Sequence, residues 1–250
     1  MRLLTLDIET APNTGYCWGL WQQNISLSQL IESGYMLCWA AKWTDKRGIF
    51  SRSKGDDDFL TCLHALLNEC DAVIHWNGAR FDMPWINSEF LRADPSLLPP
   101  SPYKQIDLLR TVRSQFKFPS NKLDYVAQAL GLGHKTKGMS MDDWKGCMSN
   151  DERSWKKMLS YNKRDVSLTE KVYFKLLPWI KNHPNVNLHE PLQRDSMKCP
   201  TCGSDNFIAR GDIASGGSVY KRYSCHDCGH WFRGHEQVNK INVKNKTSNV

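Results

Sequence analysis

The feature that most constrains the fold is a short apolar run near the N-terminus, LTLDIETAP, which carries two acidic residues, Asp7 and Glu9. Residues 2–8 have the apolar pattern of a β-strand, and side chains two positions apart on a strand point to the same face. The two carboxylates can therefore bind one divalent cation together. A D-x-E pair alone is more often a solvated strand end than a metal site, so the assignment depends on the rest of the chain.

Two further motifs follow in order. The sequence HWNGARFDMPW contains Asp82, and YNKRD contains Tyr161 and Asp165. Tyr161 and Asp165 are four residues apart in a segment of helical character, so they share one face and are separated by roughly one helical turn, whose pitch is about 5.4 Å. Each motif alone has a structural explanation, since an Asp that opens a helix is commonly an N-cap. Together, the three motifs make a candidate two-metal nuclease site.

The hydrophobic pattern between the motifs predicts an α/β domain. We expect a first strand at residues 2–8 and a hairpin of strands at residues 35–43 and 49–52. A helix at residues 56–70 is followed by a short buried strand at residues 72–75.

Later signals are helical. One helix is predicted to start at Asp82, and Asp107 is predicted to cap another. An apolar stripe at residues 123–130 predicts a third helix that ends at a glycine. Residues 149–152 have the pattern of a capping box that opens the helical region with Tyr161 and Asp165.

The ordered motifs resemble the tyrosine subtype of the DEDD superfamily of 3′→5′ exonucleases, which includes the proofreading domains of DNA polymerases. The similarity extends from Met1 to about Ile180 and includes the segment LDYVAQALGLG. The segment WGLWQQNIS resembles the free-standing, phage-type branch. The resemblance implies a ribonuclease H-like fold, a mixed five-stranded sheet flanked by helices.

The resemblance also implies the roles of the site residues. Asp7 would bridge two Mg²⁺ or Mn²⁺ ions, and Glu9 and Asp165 would complete the first ion's coordination. Asp82 would hold the second ion, and Tyr161 would orient the attacking water. Hard cations prefer oxygen ligands, and no histidine or cysteine accompanies these carboxylates, which favours magnesium or manganese over zinc.

Residues near the motifs are candidate substrate contacts. Asn77 and Phe81 match positions that lie at the substrate end of the site in the family, although a turn residue and a core aromatic explain them equally well. A basic cluster beside Tyr161 is predicted to contact phosphates, with a solvated surface as the alternative. Its candidate substrate-binding members are Lys157, Lys163 and Arg164.

Four tryptophans lie near the motifs: Trp18, Trp21, Trp76 and Trp85. Aromatic faces can stack on nucleic-acid bases. Burial in the core is nevertheless the expectation for most of them, because tryptophan is highly buried on average.

Four cysteines predict a second module. Cys199 and Cys202 form one C-x2-C pair, and Cys225 and Cys228 form another. This pattern predicts a zinc ribbon with one structural Zn²⁺, and disulfides are the alternative. A glycine after each pair permits the tight turn of such a site.

The segments beside these cysteines predict the rest of the module. Residues 207–210 and 220–224 are predicted strands. Basic and aromatic residues alternate around the second pair, which predicts a surface for nucleic acid or a protein partner.

The predicted organisation is an exonuclease domain at 1–183, a connector at 184–196, a zinc ribbon at 197–235 and a basic, disordered tail at 236–250. The chain has 250 residues, enough for one ordinary domain and a small one. No apolar run approaches the roughly 18 residues of a membrane helix, and no signal peptide is predicted. The cysteine pattern predicts a reducing cytoplasm, which is the host cytoplasm if the chain is phage-encoded.

The formal net charge of +7 favours a polyanionic partner. The predicted function is 3′→5′ exonuclease action on mainly single-stranded DNA, releasing 5′-mononucleotides, in replication proofreading, repair or recombination, with a possible protein partner. DNA is favoured over RNA by the resemblance alone. Two alternatives stay open: a ribonuclease or structure-specific nuclease that uses the same metals, and a non-catalytic nucleic-acid-binding module.

Overall fold

The computed structural model describes residues 1–93, 97–134, 138–189 and 197–239. The chain divides into two compact units, one spanning Arg2–Leu176 and the other beginning at Leu177. Across the described ranges, none of the helices combines the length and the apolar character that crossing a bilayer requires.

The first unit is built on a mixed five-stranded sheet, as predicted. The strands of this unit are β1 (Leu3–Thr10), β2 (Thr14–Gly15), β3 (Leu30–Glu32), β4 (Met36–Trp43), β5 (Phe50–Ser53), β6 (Ala72–His75) and β7 (Lys104–Asp107). Strands β2 and β3 pair with each other, and the other five form a sheet in the order β5-β4-β1-β6-β7. The β5-β4-β1 part is antiparallel and the β1-β6-β7 part is parallel.

Six helices of the described chain belong to this unit. They are α1 (Phe59–Glu69), α2 (Asp82–Ala93), α3 (Leu108–Gln115), α4 (Leu123–Ala129), α5 (Met141–Met148) and α6 (Glu152–Leu176). Helix α6 packs across β4 and β1. Its buried positions recur every three or four residues, as at Met158, Asn162 and Asp165. A helix with this spacing turns one stripe toward the sheet.

Alternation along β1 decides which residues face the core and which face α6. Leu4, Leu6 and Ile8 lie in the main core cluster together with buried residues of α1 and α2. Because successive strand residues point to opposite faces, Asp7 and Glu9 lie on the other face of the sheet, the one that α6 covers. The core pattern of β1 therefore presents both carboxylates to α6.

The start of α6 differs from the predicted capping box at residues 149–152. Ser149 is the C-cap of α5. Asn150 follows with a φ of 61°, in the left-handed region. The Asp151 carboxylate then accepts a hydrogen bond from the backbone N–H of Ser154 at 2.8 Å, which caps the new helix. The box is therefore split between the end of one helix and the start of the next.

The second unit contains a three-stranded antiparallel sheet. Its strands are β8 (Phe207–Ser215), β9 (Ser218–Cys225) and β10 (Trp231–Asn239), in the order β10-β9-β8. The predicted strands at residues 207–210 and 220–224 lie within β8 and β9, and β10 was not predicted. Phe207, Tyr223 and Phe232 pack with ring centroids 5.4 to 5.6 Å apart.

The segments beside this sheet were predicted as a connector and a tail. Residues 186–189 of the connector form a short 3-10 helix, and residues 190–196 lie outside the described residues. Strand β10 continues to Asn239, past residue 235, where the predicted tail begins. The rest of the tail, from residue 240, lies outside the described residues.

Candidate functional site

Three carboxylates from two elements meet at one point. Oxygen atoms of Asp7 and Glu9 on β1 and of Asp165 on α6 all lie within 4.8 Å of one another. Asp165 is buried, and the other two are half-buried. Carboxylates this close repel one another unless a cation or a proton intervenes. Oxygen ligands about 2.0 to 2.6 Å from a common ion reach such mutual distances, so the group fits a hard divalent cation.

Asp82 adjoins this group from the opposite layer of the molecule. It opens α2, whose buried Met83 and Ile86 pack in the core on the far face of the sheet. Its Oδ1 accepts a hydrogen bond at 3.2 Å from the backbone N–H of Ile8, the residue between Asp7 and Glu9. Strand β6 pairs with β1 only as far as Thr5, so this bond lies beyond the end of that pairing. Among the described residues, Asp82 is not one of the three carboxylates that converge within 4.8 Å.

The environment of Asp82 opposes its negative charge. Burial raises the pKa of this carboxyl to about 7, and the hydrogen bond from Ile8 acts in the other direction. A nearby positive charge favours the ionised form of a buried acid. Asp82 therefore suits a position beside a cation better than an isolated one.

Asn162 is a site residue that the sequence analysis did not identify. It is fully buried on α6, and its Nδ2 donates a hydrogen bond to Oδ2 of Asp7 at 2.7 Å. Its Oδ1 accepts from the buried thiol of Cys38 at 3.9 Å. The bond holds one carboxylate oxygen of Asp7 in place. The available signal was its position three residues before Asp165 on the same helix, because residues at that spacing share a face.

Comparison with known proteins supports this assembly. The RNase_H_2 family, described as belonging to the RNase_H superfamily, matches residues 4–177. The chain belongs to the RNase H superfamily. The match covers the five-stranded sheet and all three acidic motifs, so the nuclease-type function, the use of divalent metals and the binding of nucleic acid follow at the level of the superfamily. Among curated proteins, none matches the chain.

Tyr161 lies on α6 of this RNase H-like unit, one turn before Asp165, and is half-buried. The sequence placed both residues on one helical face, and both belong to the helix that faces β1. The role of Tyr161 in orienting water stays a prediction.

The predicted phosphate contacts on α6 have different surroundings. Lys157 forms an ion pair with Asp143, which lowers the pKa of that carboxyl to about 2. The Arg164 guanidinium donates back to Ser160 of its own helix, through Nη2 at 2.6 Å. Lys163 is half-buried on the same helix. These residues line α6 near Tyr161, and their contact with a substrate stays a prediction.

Asn77 and Phe81 belong to the turn that leads from β6 to α2. Asn77 has a φ of 68° and donates its backbone N–H to Oδ1 of Asp107 at 3.1 Å. Asp107 also accepts from the backbone N–H of Leu109, so it caps α3 as predicted. Phe81 is 42% exposed and makes an edge contact with Trp85. It is therefore not a core aromatic.

A basic cavity opens beside this turn. It has a volume of about 320 Å³ and is lined by Arg80, Arg110 and Arg113, together with Asn77, Asp107, Leu109 and Ser114. The three arginines are exposed. The cavity lies at the carboxyl ends of β6 and β7. Asp7 and Glu9 lie near the carboxyl end of β1, which runs parallel to these strands, so the cavity and the carboxylates are at the same edge of the sheet. Two strand spacings, about 10 Å, separate β1 from β7. We call it the arginine cavity.

The second unit brings its four cysteines together. The Sγ atoms of Cys199 and Cys228 are 3.7 Å apart, and those of Cys202 and Cys225 are 3.6 Å apart. A disulfide has an S–S distance of about 2.05 Å, whereas four thiolates around one zinc at about 2.3 Å lie about 3.8 Å apart. The spacing therefore fits a tetrahedral metal site and does not fit the disulfide alternative.

The glycine after each pair has the predicted conformation. Gly203 and Gly229 have φ values of 77° and 76°. Their N–H groups donate to the carbonyls of Cys199 and Cys225 at 2.9 and 3.0 Å. Each turn thus needs a left-handed residue directly after the second cysteine of its pair, and glycine adopts this conformation without steric cost.

Proposed function

We propose that the chain is a metal-dependent 3′→5′ exonuclease that hydrolyses mainly single-stranded DNA from free 3′ ends and releases 5′-mononucleotides. The observation that carries the proposal is the convergence of Asp7, Glu9 and Asp165, with Asp82 bonded to the same strand, in a member of the RNase H superfamily. The exonuclease assignment within the superfamily, its 3′→5′ direction and the preference for DNA rest on the motif resemblance.

The donor set fits two hard cations. Asp7, Glu9 and Asp165 would hold one Mg²⁺ or Mn²⁺, and Asp7 and Asp82 would hold a second. When bound, such ions stabilise the charge of the phosphoryl group and activate water for in-line displacement. The carboxylates supply only oxygen ligands, which suits these ions.

The chain's own residues contribute position and charge. Asn162 fixes the carboxylate of Asp7 through its hydrogen bond. The Tyr161 hydroxyl, one turn from Asp165, would orient the attacking water. The arginine cavity would bind phosphates of the strand, because a guanidinium group can donate two parallel hydrogen bonds to the oxygens of one phosphate. Asn77, Phe81 and the basic residues of α6 would add contacts near the reacting end.

The four cysteines would hold one structural Zn²⁺. On the sheet that follows, the Arg222 guanidinium lies 4.9 Å from the Trp231 ring centroid, and that of Arg233 lies 4.3 Å from the Tyr220 ring centroid. Such alternation of basic and aromatic groups suits nucleic acid. We assign this module to binding nucleic acid or a replication or repair partner, and we expect the protein to act in the cytoplasm.

The decisive experiment uses 5′-labelled single-stranded DNA, duplex DNA and RNA in magnesium, manganese or EDTA. We expect a ladder that shortens from the 3′ end, fastest on single-stranded DNA, and that disappears in EDTA and in Asp7→Ala. Asp45→Ala, an exposed acidic residue in the turn after β4, is the matched control and should remain active.

The other outcomes favour the alternatives. Internal cuts or a preference for branched ends would indicate a structure-specific nuclease. Faster degradation of RNA would indicate a ribonuclease. Tight binding without any cleavage, in a preparation that contains magnesium, would indicate a non-catalytic binding module.

A further inference from the structure

A segment with a single charged residue, Glu32, separates the first acidic motif from the rest of the sheet. Residues 12–34 connect β1 to β4, and strands β2 and β3 within it pair with each other and not with the five-stranded sheet. No Asp, Glu, Lys or Arg occurs from Ala11 to Ile31, in a chain that is 24% charged. We name residues 12–34 the aromatic arm.

The arm exposes its large apolar side chains, contrary to the expectation that most of the tryptophans are buried. Trp18 is 99% exposed and Trp21 is 85% exposed. Tyr16, Leu20 and Leu27 are exposed as well. Aromatic side chains carry about 150 to 250 Å² of surface each. Exposed apolar surface of this extent on one short segment is typical of an interaction site.

The base of the arm adjoins the metal-binding end of β1. Ala11 donates its N–H to the carbonyl of Tyr35 at 2.8 Å, and Gly34 donates its N–H to Oδ1 of Asn13 at 2.6 Å. Both ends of the arm therefore leave the sheet just beyond Glu9. A Cβ on Gly34 would lie 3.3 Å from the Trp85 ring, which itself contacts Phe81 of the second motif.

We propose that the aromatic arm binds the unpaired bases of a single-stranded nucleic acid whose end lies in the carboxylate site. The arm has no cation to attract phosphates, whereas aromatic faces stack on any base. Its amides, at Gln22, Gln23 and Asn24, can bond to base edges. Phosphates have a separate partner in the arginine cavity. The inference rests on the proposed function for the placement of the strand, but the binding itself requires no hydrolysis.

The arm then selects for single strands. Base faces are accessible for stacking on protein only where the bases are not stacked within a duplex. The arm should therefore distinguish a strand that has bases from one that has only the sugar-phosphate backbone, which a purely electrostatic site cannot do.

The test measures binding without cleavage, in the Asp7→Ala protein and in magnesium. The probes are a fluorescently labelled oligothymidylate of about 15 nucleotides and an abasic strand of the same length and charge. We expect the parent to bind oligothymidylate at least about tenfold more tightly than the abasic strand. Adding Trp18→Ala and Trp21→Ala should lower the affinity for oligothymidylate about 10- to 100-fold and leave the affinity for the abasic strand unchanged. Trp18→Phe with Trp21→Phe should retain part of the preference.

The matched control is Leu91→Ala, which removes a comparably exposed apolar side chain on α2 and should change neither affinity. The proposal is overturned if the double alanine variant binds both probes as the parent does, or loses affinity equally for both. It is also overturned if light scattering shows a dimer that the double variant cannot form, because a second copy of the chain would then cover the arm.

Failure of this inference is distinguishable from failure of the proposed function. A protein that never hydrolyses DNA but prefers strands with bases through Trp18 and Trp21 retains the arm's role and loses the exonuclease. A protein that degrades DNA from the 3′ end and whose binding is indifferent to both tryptophans retains the exonuclease and loses the arm.

Discussion

At the scale of single residues, Asn162 joins the helix and the strand that form the carboxylate cluster. Its amide makes a hydrogen bond on each side, donating to Asp7 and accepting from the Cys38 thiol. This donor holds the half-buried carboxylate of Asp7 in place without an ion. Outer-shell donors of this kind contribute strongly to metal affinity.

We therefore expect Asn162→Ala to raise the magnesium concentration for half-maximal nuclease activity by about 10- to 100-fold. Activity at saturating magnesium should fall much less, because the ligands themselves remain. Lys171→Ala, on the exposed side of the same helix, is the control. A purely structural role would lower the melting temperature and leave the magnesium midpoint unchanged, which circular dichroism and a metal titration would reveal together.

Gly78 is a second residue whose identity is dictated by its surroundings. Its N–H donates to Nδ1 of His75 at 3.0 Å, and an added Cβ would lie only 2.5 Å from that ring. The His75 ring is fully buried and cannot move away freely. The turn before Asp82 thus depends on a residue without a side chain.

Gly78→Ala should destabilise the first unit by about 1 to 3 kcal/mol, the usual cost of overpacking. Urea unfolding followed by circular dichroism measures this change. Gly48→Ala is the control, since its Cβ would have nothing within 4 Å. Equal unfolding midpoints for the two variants would show that the turn relaxes around the methyl group.

At the scale of elements, the sequence predicted four strands of the central sheet, β1, β4, β5 and β6, because apolar runs and short strand lengths are local properties. Strand β7 was not predicted from its residues, and the number of five strands came from the family resemblance. The helix with Tyr161 and Asp165 was predicted from a local pattern as well. The capping box at 149–152 was assigned wrongly. Ser149 ends one helix, and Asn150, in the left-handed conformation, separates it from the next helix. A local sequence pattern cannot detect this change of direction and treats the four residues as the start of a single helix.

The site was predicted less completely than the sheet. Spacing along one strand paired Asp7 with Glu9, and spacing along one helix paired Tyr161 with Asp165. Spacing also places Asn162 on the same face of α6 as Asp165, but its hydrogen bond to Asp7 joins residues 155 positions apart in sequence, which no local pattern predicts. The exposure of Trp18 and Trp21 could not be predicted either. Composition favours burial of tryptophan, whereas exposure depends on how the arm leaves the sheet.

The arginine cavity is built by α3 and the turn before α2, and its function can be tested by salt dependence. Each phosphate contact on a single strand contributes about −0.7 to the slope of log K against log salt. We expect Arg110→Gln with Arg113→Gln to reduce that slope by about 1.4 in the Asp7→Ala protein. Arg47→Gln, in an exposed turn, should leave it unchanged.

An unaltered slope in the double variant would contradict the assignment of phosphates to the cavity. A weaker affinity with an unaltered slope would also contradict it, because a complex with fewer phosphate contacts must release fewer counterions when it forms. The measurement therefore separates an electrostatic contact from a general loss of structure.

At the scale of the whole molecule, the two units depend on different sources of stability. The first has large core clusters on the faces of its sheet. The second has a three-stranded sheet with a small aromatic cluster and the four cysteines. We expect a module of this size to need a metal at its four cysteines in order to fold, since its buried apolar surface alone would not offset the entropy of ordering the chain.

We expect the purified protein to contain one zinc per chain and Cys225→Ser to lose it. Limited proteolysis of that variant should cut within residues 197–239, while the fragment Arg2–Leu176 stays intact because its core contains none of these ligands. Cys17→Ser, a cysteine outside the cluster and exposed, should retain the zinc and the protection. Elemental analysis and mass spectrometry of the fragments measure both results.

One outcome would contradict the zinc assignment: a wild-type protein that contains no zinc and whose second unit still resists proteolysis. The four thiols would then pack without a metal, and the distances of 3.6 to 3.7 Å between their sulfur atoms would need another explanation.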